Sequence, residues 1–384
     1  MSKDHRFAIA GLGLTALGRV PDRSAISLKA EALRRALEDA GLTLADVDGI
    51  IGQSDFATDS GAELPRMLGI APKFFWTLTA GGTSAISAVI AACGAIEMGA
   101  ASTVVCLCGS TALSQSFQVG AVASARVENT NAAYGSFGPL ADFALMAQRH
   151  MYEFGTTPEQ LGRVAITMRE NAQKRPEAQL YGRPLTMDSY LNAPMVVAPF
   201  RRDDCCLVSD GACALIITTA ERARSLRAKP VYSPGTGLGH QLAESYHNRN
   251  YTSFGIATAK EAAFRSAGVT LDDIQFAELY EPFSIGIIAQ LEDYGFCAKG
   301  EGGPFVEAGH IALNGRLPVN TGGGQASWAY LQGYTPLAEA VLQLTGKGGA
   351  TQLADRHLCM VTGRGGTTGR SMMYSEACMI LGDE

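Results

Sequence analysis

The sequence predicts a layered α/β protein built from two related halves, and three observations carry that expectation. Glycine supplies 44 of the 384 residues and gathers in short clusters after apolar runs, as strand-to-helix turns do. The segment AGLTLADVDGII at 40–51 returns as AGVTLDDIQFAE at 267–278, an offset of 227 residues. Two further echoes keep the same order: AIAGLGLTALG at 8–18 with VYSPGTGLGHQ at 231–241, and GGTSAISAVIAACGAIEMG at 81–99 with GGGQASWAYLQGYTPLAEAVLQLTG at 322–346.

Taken along the chain, the 8–18 and 231–241 segments read as apolar strands running into glycine-rich turns. The 40–51 and 267–278 segments each follow a helical stretch and precede a strand. The 81–99 and 322–346 segments each open a helix of small and apolar residues at a glycine cluster. These landmarks divide the chain into halves at 1–225 and 226–384, with the pseudo-equivalent helices expected side by side in the centre. An insert at 112–203 interrupts the first half; its stretch 149–191 is helical in period with loop-like ends. Inserts on one face of an α/β core commonly build the substrate site.

Composition removes several classes of function. With 37 acidic and 31 basic residues the net charge is −6, so the positive surplus that drives nucleic-acid binding is missing. The N-terminal MSKDHRFAIAGLG lacks the long apolar region and small-residue cleavage site of a secretory signal. The most apolar window, 85–108, is broken by Gly94, Glu97 and Gly99 and reads as a buried helix and strand, not a membrane span. Nine scattered cysteines point to the cytosol and away from a disulfide framework. Cys106 and Cys108 are one residue apart and Cys205 and Cys206 adjacent, neither being zinc spacing, so no metal is expected.

The segments FRRDDCCLVSDGACALIITT at 200–219, RHMYEFGTTPEQL at 149–161, ELYEPFS at 278–284 and PVNTGGG at 318–324 together resemble the thiolase superfamily, in particular its lipid-transfer-protein or sterol-carrier-protein-x branch. The resemblance spans nearly the whole chain and implies a layered α/β/α/β/α core of two βαβαβ-type halves. It also shows what is missing. Where thiolases place the nucleophilic cysteine at a helix N-terminus, this chain has Gly82. Tyr330, in AYLQGYTP, stands in place of the catalytic histidine, and Tyr280, in ELYEPFS, in place of the Asn or His of the next motif. Gly363, in VTGRGGTTG, replaces the second cysteine. With all four positions changed, chemistry through an acyl-cysteine is not expected.

Two of the replacements are tyrosines, which can donate or accept a proton. That pairing resembles the thiolase-like aldolases of bacterial steroid side-chain breakdown. The resemblance implies retro-aldol cleavage of a tertiary 3-hydroxyacyl-CoA to a ketone and a shorter acyl-CoA, with Tyr330 as base and Tyr280 as acid. Coenzyme A enters as part of the substrate, and no other cofactor is expected. Backbone donors for the enolate oxygen are expected from Gly82, Thr83 and Ser84 or from Gly363, Gly365 and Gly366. A phenol of ordinary pKa about 10 is a poor base at neutral pH. It needs a cation, a helix N-terminus or a relay beside it, and Glu281 and His310 are the relay candidates. Two alternatives stay open: a thiolase-type acyltransferase using Cys93, Cys297 or Ser84 as a non-standard nucleophile, and a non-catalytic acyl-CoA or lipid carrier.

Other conspicuous residues have plainer readings. Cys93 lies three turns into an apolar helix and reads as core, and His150 as structural. Asp210 in a Ser-Asp-Gly corner is expected to bond its own backbone, and Arg201 to Asp204 to form a surface ion-pair cluster. His240 and His247 flank a polar loop expected to be solvated. By resemblance the chain is expected to form a homodimer and to work with a small partner carrying an OB-fold and a zinc ribbon, as a heterotetramer.

Overall fold

The computed structural model describes residues 5–53, 62–115, 138–242, 250–365 and 373–383. Its strands are β1 (Phe7–Leu14), β2 (Gly49–Gly52), β3 (Phe74–Thr77), β4 (Thr103–Thr111), β5 (Met195–Val197), β6 (Phe200–Arg201), β7 (Asp210–Thr219), β8 (Val231–Leu242), β9 (Phe276–Glu278), β10 (Leu358–Gly365) and β11 (Met373–Gly382). Its helices are α1 (Ala25–Ala40), α2 (Glu63–Leu68), α3 (Ser84–Glu97), α4 (Pro139–Phe154), α5 (Pro158–Ala172), α6 (Met187–Leu191), α7 (Ala220–Ala223), α8 (Ala257–Ala267), α9 (Ser284–Tyr294), α10 (Gly302–Glu307) and α11 (Tyr334–Leu344).

Among the described residues nine strands form one sheet in the order β3-β2-β4-β7-β1-β8-β11-β10-β9. The two halves meet where β1 pairs antiparallel with β8, Ala8 opposite Tyr232 and Ile9 opposite Val231. Outward from that seam the halves repeat each other. β1 and β8 each pair antiparallel with a long strand, β7 or β11, which pairs antiparallel with β4 or β10, which pairs parallel with β2 or β9. Only the first half adds β3 at its edge.

Side-chain alternation along the strands assigns the layers. Val104, Cys106 and Cys108 of β4 share one apolar cluster with Val361, Ala377 and Met379 of the second half, and between them lie Ile86, Val89 and Ala92 of α3 and Leu337, Ala338 and Val341 of α11. The intervening residues of the first half, such as Val105, Leu107, Ala212 and Ala214, face α1. Met360, Cys378 and Ile380 face α8, in a cluster that continues into α4, α5 and α9. The central helices are thus covered on both sides by half-sheets, which are covered in turn by α1 and α8: five layers, as the fold class requires.

The glycines of the first echo do different work from what their composition implies. Gly11 and Gly13 lie inside β1, and Gly235 and Gly237 inside β8. A Cβ on Gly13 would stand 2.0 Å from the Ala32 carbonyl oxygen, and one on Gly237 2.0 Å from that of Ala259. They let an alanine-lined helix, α1 or α8, lie directly on its strand. The second echo is a repeated stop-and-start device. Gly41 at φ 73° and Gly268 at φ 62° end α1 and α8 in the left-handed region. Thr43 with Asp46, and Thr270 with Asp273, then close capping boxes on a short 3-10 turn. In the third echo the Gly322 cluster opens a short π-type turn over Gly324–Trp328, and α11 begins only after Gly333.

Residues 116–137 of the expected insert lie outside the described residues, as do His247 and the rest of 243–249. No described helix is long and apolar enough to cross a membrane.

Candidate active site

Tyr280 follows β9 and Tyr330 follows the π-type turn, so both stand on short loops leading into helices of the second half, α9 and α11. Their hydroxyl oxygens are 3.0 Å apart, a direct hydrogen bond between residues fifty positions apart in the chain. Tyr280 is buried at 5% exposure, whereas Tyr330 is partly open to solvent.

Gly82 lies under the Tyr280 ring. A Cβ there would be 2.1 Å from Tyr280 Cζ and 2.3 Å from the Arg364 carbonyl oxygen. Side-chain space at position 82 is therefore taken by the phenol. Gly333, Gly363 and Gly365 serve the same crossing. Their Cβ atoms would come within 2.2 and 2.8 Å of the Gly82 carbonyl oxygen, and within 2.4 Å of that of Ala80. The start of α3, the start of α11 and the end of β10 thus approach backbone to backbone, which only glycines allow.

Burial pushes both phenols above their ordinary range. Tyr330 raises Tyr280 further, and Cys206, whose N–H donates to the Pro282 carbonyl at 2.9 Å, contributes to both. Glu281, next to Tyr280, is pushed up to about 8 by burial, against the N–H groups of Gln325 and Ala326 that donate to its Oε1. Asn320 pins the approach to Tyr280: its side-chain amide accepts from the Leu279 N–H at 2.6 Å and donates to the Leu279 carbonyl at 2.9 Å. It thereby imitates a neighbouring strand just past the end of β9.

The other sequence candidates are placed as follows. The N–H groups of Thr83 and Ser84 already donate to the carbonyls of Ala80 and Gly81, at 3.3 and 3.1 Å, in the turn that starts α3. The Ser84 hydroxyl donates to the Gly81 carbonyl at 2.6 Å, which makes it a turn-closing group. Gly363 and Gly365 stand in the β10–β11 ladder opposite Ala377 and Ser375, and Gly366 lies outside the described residues. His310 packs its ring 4.6 Å from that of Phe305. Burial raises the Cys93 and Cys297 thiols to about 12. Among the described residues no three His, Cys, Asp or Glu side chains gather as a metal site.

Three structural readings change or gain detail. Asp210 bonds other segments, accepting from the N–H groups of Val20, Leu113 and Ser114 at 2.8–2.9 Å, because the corner lies where three loops meet. The 201–204 cluster is interior: Asp203 pairs with Arg169 at 2.9 Å under α5, and Asp204 accepts from Tyr190 at 2.7 Å and Ser284 at 2.5 Å. Only Arg202 of the four is exposed. His150 is fully buried between Thr156 Oγ1 at 2.6 Å and Glu292 Oε2 at 2.9 Å, while His240 is exposed at the end of β8.

Sequence reasoning missed Gly333, Cys206 and Asn320. Asn320 had a signal in the quoted PVNTGGG run, but nothing local distinguishes a strand-mimicking asparagine from a turn asparagine.

Residues 7–192 match the family of the thiolase N-terminal domain, and 237–383 that of the thiolase C-terminal domain-like proteins. A steroid side-chain-cleaving aldolase of Thermomonospora curvata is 35% identical over 88% of this chain and 90% of its own. The 17-hydroxy-3-oxo-4-pregnene-20-carboxyl-CoA lyase of Mycobacterium tuberculosis is 33% identical over 93% of this chain and 96% of its own. The solved Ltp2-ChsH2(DUF35) aldolase superimposes with a TM-score of 0.87 at 34% identity, covering 98% of this chain and 97% of that one. Human mitochondrial 3-ketoacyl-CoA thiolase shares the fold, with a TM-score of 0.72 at 16% identity over 98% of both chains.

Proposed function

The chain belongs to the thiolase superfamily, and from that premise we propose that it is a carbon–carbon lyase: a retro-aldolase that cleaves a tertiary 3-hydroxyacyl-CoA into a ketone and a shorter acyl-CoA. The named relatives, a side-chain-cleaving aldolase and an acyl-CoA lyase, support the reaction class and a steroid-type substrate. The observation that carries the mechanism is the 3.0 Å contact between the two phenols, over a glycine where a thiolase nucleophile would stand.

That contact answers the objection that a buried tyrosine is a poor base. Both phenols are pushed up, so neither ionises near neutral pH. In a hydrogen-bonded pair neither has to. The substrate hydroxyl gives its proton to Tyr330, Tyr330 passes its own to Tyr280, and Tyr280 protonates the α-carbon as the Cα–Cβ bond breaks. The Cα–Cβ bonding pair becomes the new Cα–H bond of the shorter acyl-CoA, through a transition state of enolate character, and the pair left by the hydroxyl proton becomes the second bond of the ketone carbonyl. Both phenols are neutral before and after, and the proton count closes without an external base. Glu281, mostly protonated and so neutral at pH 7 and held in the 325–326 amide turn, shapes the loop in this reading and takes no part in the proton transfer.

The acyltransferase alternative lacks an activated nucleophile, because every described thiol with a resolved shift is raised, not lowered. The solved Ltp2-ChsH2(DUF35) aldolase supports a DUF35-type partner for this chain; the complex proposed here is cytoplasmic and holds two copies of the chain. The test is mass-spectrometric assay of the complex on tertiary 3-hydroxyacyl-CoA thioesters, with Tyr280→Phe and Tyr330→Phe beside the wild type. Each substitution should lower turnover by about 100-fold or more. Cleavage indifferent to both phenols would overturn the mechanism, and no cleavage of any member of the panel would return the chain to the carrier reading.

A further inference from the structure

A proton passed between two phenols demands that their oxygens stay in register, yet Tyr280 and Tyr330 both sit on loops, and their N–H groups donate to side-chain hydroxyls instead of to a strand's carbonyls. The Tyr280 N–H donates to Thr362 Oγ1 at 2.9 Å, the Thr362 hydroxyl donates to Gln290 Oε1 at 2.6 Å, and Gln290 Nε2 donates back to the Tyr280 carbonyl at 2.8 Å. The circuit is closed and fully buried, with Thr362 and Gln290 each 1% exposed. Its polarity is also determined. The Tyr280 carbonyl can only accept, so the glutamine turns its Nε2 to it and its Oε1 to Thr362, and the Thr362 hydroxyl must donate to that oxygen.

A second arrangement of the same kind holds the other tyrosine. The Tyr330 N–H donates to Ser209 Oγ at 3.0 Å, and the Ser209 hydroxyl donates to Gln179 Oε1 at 2.6 Å. Gln179 Nε2 then donates to the Val208 carbonyl at 3.0 Å, and the Gln179 N–H to the Trp328 carbonyl at 2.9 Å. Thr362 stands within β10 of the second half, and Ser209 immediately precedes β7 of the first. Each loop-borne tyrosine is thereby tied by its amide to a sheet strand or to the residue that leads into one, one in each half.

We propose that Thr362–Gln290 and Ser209–Gln179 are matched positioning anchors that set the Tyr280–Tyr330 separation, so that the geometry of proton transfer is fixed by the sheet and not by the loops. The inference rests on the proposed chemistry of the tyrosine pair. Neither anchor touches the reacting atoms, and both act through the backbone of the residue that does.

Thr362→Val preserves shape and removes the hydroxyl. In the complex with the DUF35-type partner, assayed on a tertiary 3-hydroxyacyl-CoA, it should lower kcat by about 10- to 100-fold with KM little changed, the scale of a misplaced catalytic group. Thr362→Ser restores the hydroxyl and should recover turnover to within about 3-fold, since it reinstates both hydrogen bonds. Because a general loss of stability would also slow the enzyme, the deciding measurement is a double-mutant cycle. In a Tyr280→Phe background Thr362→Val should add less than about 3-fold, and Ser209→Ala should behave likewise in a Tyr330→Phe background. Equal factors in both backgrounds would mean a purely structural role and overturn the anchors. If Tyr280→Phe abolishes turnover while Thr362→Val leaves kcat alone, the anchors fail and the chemistry stands. Full turnover in Tyr280→Phe would remove both.

Discussion

Replacing Gly82 by alanine is the sharpest probe of how this site departs from a nucleophilic one. The added Cβ would lie 2.1 Å from Tyr280 Cζ, whereas carbon atoms pack at about 3.5–4.0 Å, so the ring must retreat by about 1.4 Å. On its other side the methyl meets the Arg364 carbonyl oxygen at 2.3 Å, part of a sheet strand that does not yield as a side chain does. A retreat of that size carries the phenol out of its 3.0 Å contact with Tyr330. Misplacement by about 1 Å costs about 100-fold in rate, and overpacking costs about 1–3 kcal/mol of stability. The expected outcome is a folded protein with kcat down by about two orders of magnitude, read by mass-spectrometric product assay beside thermal unfolding. Gly94→Ala, on the same helix but with nothing within 4 Å of its added Cβ, is the control and should leave turnover intact. Wild-type kcat in Gly82→Ala would refute the reasoning, since the phenol could then not be where its function requires it.

Three further outcomes follow from the interior. Arg175 holds Glu339 at 2.6 and 2.8 Å beside a second buried carboxyl, Glu278, which burial and Glu339 raise well above the usual range. Arg175→Met should therefore cost about 3–5 kcal/mol in urea unfolding, largely recovered by adding Glu339→Gln; an unchanged midpoint would refute it. Glu281 and Glu376 are both raised to about 8 by burial from an ordinary 4.5, so the folded state holds protons the unfolded state has released. Their contribution to stability is full below pH 4.5, falls as pH rises through about 8, and the Glu281→Gln variant should flatten that fall in denaturant midpoints measured across the range. With Cys93, Cys205 and Cys297 all pushed up to about 12, iodoacetamide at neutral pH should leave turnover untouched. Inactivation protected by substrate would instead favour a thiol nucleophile.

Much of the architecture was legible because its signals are local. A left-handed glycine followed by a Thr-Asp capping box recurs at 41–46 and 268–273, and a few residues suffice to specify such a device wherever it occurs. The repeat of those devices revealed two halves before any contact was known. The expected coincidence of Tyr280 and Tyr330 with two emptied catalytic positions likewise pointed to the candidate site, where the structure brings the two hydroxyls to 3.0 Å. Local signals failed where composition has two physical meanings. Glycines expected to be turns are strand residues pressed against helices, and charges expected at the surface, Asp203 and Asp204, lie inside with Arg169, Tyr190 and Ser284 as partners.

The sequence by itself determined that the chain is of the α/β class and doubled, and its resemblance to thiolases pointed to the positions proposed as the site. Packing of the two halves decided the rest. It brought two phenols fifty residues apart to 3.0 Å, put one of them over Gly82, nearly two hundred residues earlier, and tied each to a strand, or to the residue that leads into one, by a hydroxyl and a glutamine. Such contacts depend on where the sheet and central helices place distant backbone segments, and no periodicity or capping rule spans that separation.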